Sequence, residues 1–141
     1  LRAADHRPKR SIARGAVAPR PDLGGFLVPT LAELSLTLNI VVLVPVCAGL
    51  LRDAAWAREA YGARTPARGI LLSIYGAILV VSAVLLARGA SDQVAPLLWT
   101  QVLYKLTTPL TVRSIRNPVV LSNVGIAAVH LATLASLSVH R

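Results

Sequence analysis

At 141 residues the chain is long enough for one domain, and 55% of it is hydrophobic against 15% charged, with a mean hydropathy of +0.62. Soluble domains carry about a quarter charged residues, so this composition cannot cover a water-facing surface and excludes an ordinary soluble domain. The net charge of +9 does not point to nucleic acid. The cations flank apolar runs, where anionic headgroups and the positive-inside rule place them, and the aromatics and glycine-rich loops of a nucleic-acid surface are sparse.

The expectation is therefore an all-α integral membrane bundle of four transmembrane helices, with three as the alternative. The bundle occupies residues 26–141 behind an extended basic N-terminal arm, residues 1–25. That arm sets Arg2, Arg7, Lys9, Arg10, Arg14 and Arg20 against Asp5 and Asp22, interrupted by Pro8, Pro19 and Pro21. Without a periodic apolar face it has nothing to fold on, and it reads as a strap over a partner's surface. The sequence starts at Leu1 and contains no methionine, which points to removal of an initiator, alone or with a leader. An Arg-rich, acid-poor start fits the remnant of an organellar targeting segment as well as it fits part of a bacterial protein.

The first span is expected over 26–51, long enough to cross with some tilt. It contains Glu33, Asn39 and Pro45, the last needing a neighbour to satisfy the carbonyl it frees. Cys47 has no CxxC companion and no second cysteine, so it reads as a small buried hydrophobe. Val44-Pro45-Val46 before it lacks the small residue of a lipoprotein cleavage site. The connector Arg52 to Arg68 carries Trp56 and Tyr61, and 54–61 suits a short interfacial helix ended by Gly62 and Pro66.

The second span, 69–87, is uncharged, and Gly69, Ser73 and Ala77 repeat every fourth residue, the small-residue pattern of close helix packing in lipid. The third, 94–112, is weak by hydropathy but coherent by period. Trp99, Val102, Leu103, Leu106 and Leu110 share one face, and Thr100, Gln101, Tyr104, Lys105, Thr107, Thr108 and Thr111 the other, which predicts a spanning helix with its polar side turned into the bundle. Asn117-Pro118 opens the fourth span, 118–139, which carries Asn123 and His130. Orientation stays open. Lys9, Arg10, Arg14, Arg20, Arg88 and Arg141 fall on one side, and Arg52, Arg58, Arg64, Arg68, Arg113 and Arg116 on the other.

Glu33, Lys105 and His130 are the ionisable residues within apolar spans, each costly there and each a candidate functional group. Counting about 1.5 Å per residue from the span ends puts all three in the same half of the bilayer. The expectation is an intramembrane polar cluster of Glu33, Lys105, His130, Gln101 and Asn123, with Glu33 and Lys105 paired. His130 is also a candidate ligand for haem iron or for the magnesium of chlorophyll. No GxSxG, P-loop, HExxH or paired intramembrane carboxylates occur, so a catalytic role has no motif behind it, and no metal site is expected.

Two functional readings follow. The first is a non-catalytic accessory subunit of a multisubunit membrane complex, photosynthetic or respiratory, in a thylakoid, mitochondrial inner or bacterial inner membrane. It would use Gly69, Ser73 and Ala77 as contact face and hold lipids, with chlorophyll or carotenoid if the complex is photosynthetic. The second is a stand-alone small transporter or lipid-binding protein built on the Glu33–Lys105–His130 cluster. They part at Lys105: the second predicts a cavity reaching it, and the first predicts that packed side chains fill that face.

Overall fold

The computed structural model describes residues 23–90 and 93–139, which are all-helical with no strand among them. In chain order the helices are α1 (Leu23–Leu51), α2 (Ala55–Tyr61), α3 (Pro66–Arg88), α4 (Ala95–Val112) and α5 (Pro118–Val139). The expected arm lies outside the described residues over 1–22. Its last three residues, 23–25, instead open α1, despite the low helix propensity of two glycines.

Local chemistry sets the other boundaries. Thr65 caps α3 by accepting from the Arg68 N–H at 3.2 Å, with Pro66 in the first turn. Gly89, left-handed at φ 61°, closes it. Asn117 accepts from the Val119 N–H at 2.8 Å and so caps α5. Arg113, also left-handed, ends α4. α1 runs unbroken through Pro45.

Three helical stretches are long and apolar enough to cross a membrane: Leu31–Leu51, Pro66–Arg88 and Pro118–Val139, of 21, 23 and 22 residues. At about 1.5 Å per residue each matches a hydrocarbon core about 30 Å thick. α4 is not apolar enough to join them by composition. It nonetheless packs along α5, as α1 does along α3, and an α1–α5 seam joins the two pairs. The short α2 packs against α1 and α5.

The interior has two apolar clusters. One gathers Ala32, Leu36, Val94, Leu98, Val102 and Leu134, and the other Leu43, Cys47, Leu50, Ala57, Tyr75 and Ile78. Buried Asn39 on α1 and Ser82 on α3 fall between them. The outside is equally apolar. On α4, Trp99, Leu103, Leu106 and Leu110 face outward while Gln101 and Lys105 are buried, the reverse of a helix on a water-soluble core. Val102, expected on the outward side, is buried with Leu98. The outward threonines bond within their own helix, Thr100 to the Pro96 carbonyl at 2.9 Å and Thr107 to that of Tyr104 at 2.8 Å. Their hydroxyls therefore need neither water nor a ligand. Gly69, Ser73 and Ala77 all lie on the exposed side of α3.

Candidate functional site: a cleft under the connector helix

The connector between α1 and α3 is tied down by charge. Asp53 takes a left-handed backbone, φ 51°, just past the end of α1. Its carboxylate meets Arg58 at 3.1 Å and Arg68 at 2.9 Å. The Arg58 guanidinium also donates to the Asp53 carbonyl at 2.6 Å. Arg68 is buried and donates to the carbonyls of Gly62, at 2.8 Å, and Leu50, at 3.4 Å, so its charge is spread over three acceptors. The hydrogen bond from Arg58, helped by Arg68, holds the Asp53 carboxyl below the usual carboxylate range.

Packing completes the seat. Trp56 lies over Gly49, where any Cβ would clash with the indole ring. Tyr61 meets Tyr75 edge-on, centroids 6.2 Å apart, and burial pushes the Tyr61 hydroxyl above its usual range. The Asn117 amide donates to the Ala60 carbonyl at 3.4 Å, linking the start of α5 to α2.

Beneath this seat is an open cleft of about 550 Å³, within the roughly 300–1,000 Å³ of small-molecule sites. Its walls are mostly apolar: Val42, Leu43 and Val46 of α1, Tyr75 of α3, and Val119 and Ile126 of α5. Trp56, Glu59 and Tyr61 of α2 also line it, and Lys105, Ser122 and Asn123 supply the other polar groups. A second cleft of about 320 Å³ continues past Tyr61, Tyr75 and Asn123 toward Thr108 and Asn117. Lys105 is only 3% exposed. Its ammonium donates to Asn123 Oδ1 at 3.1 Å and sits 4.9 Å from the centre of the Tyr104 ring, while the Asn123 amide reaches Thr108 Oγ1 at 3.5 Å.

The expected five-residue cluster is thus divided. Lys105 and Asn123 come together, but Glu33 lies on the exposed side of α1 and does not pair with Lys105. α1 is apolar almost all round, so its sequence does not say which face turns inward. His130 belongs to another layer. Its Nδ1 is 3.2 Å from Ser35 Oγ and its Nε2 is 3.2 Å from Asn39 Oδ1. Ser35 is 2.8 Å from Thr133 Oγ1, and the Asn39 amide donates to Ser82 Oγ at 3.1 Å. Both ring nitrogens are engaged by side chains of α1 and the ring is fully buried. Gln101 is fully buried with neither amide atom hydrogen-bonded to the described residues.

The depth count misled for a geometric reason. Asn123 and His130 are seven residues apart on α5, about 10 Å along the axis, so Lys105, bonded to Asn123, lies about a turn and a half or more from His130. Val94, at the start of α4, shares a cluster with Leu134, so α5 continues beyond α4 and the two helix ends are not level.

Ser35, Asn39, Ser82, Thr133, Glu59 and Ser122 were not singled out as site residues. The signal existed for some: Ser35 and Asn39 are four residues apart, His130 and Thr133 three, and such pairs share a helix face. Comparison with family models, with characterised proteins and with solved structures gives no match, so the functional reading rests on this geometry alone.

Proposed function

We propose that this chain is a four-span integral membrane protein that binds a small amphiphilic molecule in the cleft beneath α2, as a binding or carrier protein and not an enzyme. One observation carries the reading: an open, largely apolar cleft of about 550 Å³ reaches the buried Lys105, where an accessory subunit was expected to have packed side chains. An apolar cavity with a few convergent polar groups is the usual form of a small-molecule site. α4 counts as the fourth span in this reading, because its apolar face looks outward and its lysine inward, the arrangement an ionisable intramembrane residue requires.

Photolabelling tests it. A ten-carbon amphiphile bearing a diazirine, presented to the protein in nanodiscs, should mark peptides 42–46, 56–61 and 118–126 and be displaced by unlabelled amphiphile. Labelling spread over the outward faces of α3 and α4, without displacement, would reject the site.

The accessory-subunit reading keeps one specific support. Gly69, Ser73 and Ala77 lie outward on α3 beside exposed Ile70 and Ile74, a face on which another helix could close. Mild-detergent extraction from the native membrane would then give a particle of several subunits, with a pigment spectrum if the complex is photosynthetic. Migration alone would leave that face to lipid.

A further inference from the structure

We infer that the ligand of the Lys105 cleft is a single-headed carboxylate: one ionised carboxyl group on one apolar body, with Glu59 turning away more highly charged heads. The inference rests on the cleft being a ligand site, and it assigns the ligand's chemistry.

The first observation is an unbalanced charge. A lysine ammonium has three N–H donors and no acceptor. Lys105 uses one, on Asn123 Oδ1. Among the described residues it has no carboxylate within salt-bridge distance, Asp53 of the connector being taken by Arg58 and Arg68. A cation removed from water to this degree is costly unless something compensates it, and an amide dipole with one aromatic face compensates only in part. What is missing is a negative charge, and the space beside the lysine is where it would fit.

The second observation is what surrounds that space. Val42, Leu43, Val46, Val119 and Ile126 give an apolar lining suited to a hydrocarbon body. Ser122, whose hydroxyl has no hydrogen bond to the described residues, lies on the same lining one residue from Asn123. A carboxylate has two oxygens, enough to accept from the lysine and from this hydroxyl together.

The third is Glu59. It lines the same cleft from α2, on the exposed side. A head carrying two negative charges would meet this carboxylate as well as the lysine. A monoanion seated on Lys105 places its charge on the buried, weakly screened cation, and leaves only its apolar body near the exposed, well-screened acid. The asymmetry favours a carboxylate over a phosphate monoester.

The test compares three ten-carbon ligands, decanoate, decanol and decyl phosphate, at pH 8 in nanodiscs of zwitterionic lipid. Binding is read from Trp56, which lines the cleft, in a Trp99→Phe background. Decanoate should bind about 10- to 100-fold more tightly than decanol, the range of a charge-assisted hydrogen bond. Lys105→Gln should remove that preference, and Lys105→Arg should keep most of it. Glu59→Gln should improve decyl phosphate by about 2- to 5-fold, the range of a screened charge pair, and more than it improves decanoate. Equal binding of decanoate and decanol to the parent protein would overturn the inference and leave the cleft a neutral-ligand site. A preference for decyl phosphate, unmoved by Glu59→Gln, would overturn it too. Failure of all three to bind would reject the ligand site itself.

Discussion

Removing the His130 imidazole should cost stability in a way that depends on which second residue is removed with it. His130→Leu keeps the bulk but deletes the contacts to Ser35 and Asn39, both at 3.2 Å. Ser35 retains Thr133 and Asn39 retains Ser82, so neither partner is stripped of every bond. Interhelical hydrogen bonds in membranes contribute on average about 0.6 kcal/mol and at most about 1.7. Two such bonds, in a buried layer, give an expected loss of about 1–3 kcal/mol. The assay is reversible unfolding in bicelles, arranged as two double-mutant cycles. With Asn39→Leu as second site the losses should be non-additive by about 0.5–1.5 kcal/mol, because the two side chains touch. With Asn123→Leu they should add, because the residues lie about 10 Å apart along α5. Additivity in the first cycle, or strong coupling in the second, would refute the division of the polar interior into two layers.

Three further outcomes are expected. Gly49→Ala should push Trp56 off α1 at about the 1–3 kcal/mol of an overpacked contact; it should shift Trp56 emission, and Trp56→Leu in the same chain should relieve the cost. The α2 seat should hold at neutral pH and loosen in acid. The Asp53 carboxyl sits below the ordinary value of about 3.9, so the stability it adds is complete above that value and is lost as pH falls through the depressed one; Asp53→Asn should flatten this dependence of Trp56 emission. Gln101→Leu should leave stability unchanged or raise it, since neither amide atom is paired with the described residues; a loss above about 1 kcal/mol would mean that bound water satisfies the amide.

The helix boundaries were legible because they are set locally. Pro66, Gly89, Asn117 and Pro118 act within a turn of themselves, and the expected spans 69–87, 94–112 and 118–139 differ from α3, α4 and α5 by at most three residues. The rotation of α4 was legible in part: Gln101 and Lys105 turn inward as its period implies, while Thr100, Thr107 and Thr111, expected on the same inward side, are exposed. What the sequence withheld was relative placement. α1 is apolar on nearly every side, so nothing local turned Glu33 outward and Asn39 inward. The axial offset of α5 against α4 shows in Val94 and Leu134 joining one cluster, although they stand 40 positions apart in the chain. A pairing of ionisable residues drawn from depth alone assumes level helix ends, and that assumption moved His130 to the level of Lys105.

The two polar layers differ in a way that decides which one can have a ligand. Around His130 the bonding is closed: both ring nitrogens are engaged, and Ser35, Asn39, Ser82 and Thr133 each meet another side chain of the set. The ring is fully buried, and neither of the two clefts described above is lined by it. In lipid, where apolar contact gives helices little reason to associate, such a closed set fixes the register of α1, α3 and α5. Lys105 is the opposite case. It is an ionisable group with one hydrogen bond and an adjoining cleft whose roof is a short helix held by an ion pair and a carbonyl contact. Register alone would be served better by a neutral side chain, since a buried ion is often replaceable by an apolar one without loss of stability. Lys105→Met should therefore leave the fold as stable as before, or more so, while abolishing carboxylate binding. A structural lysine would show the reverse, a destabilised bundle whose cleft binds as it did.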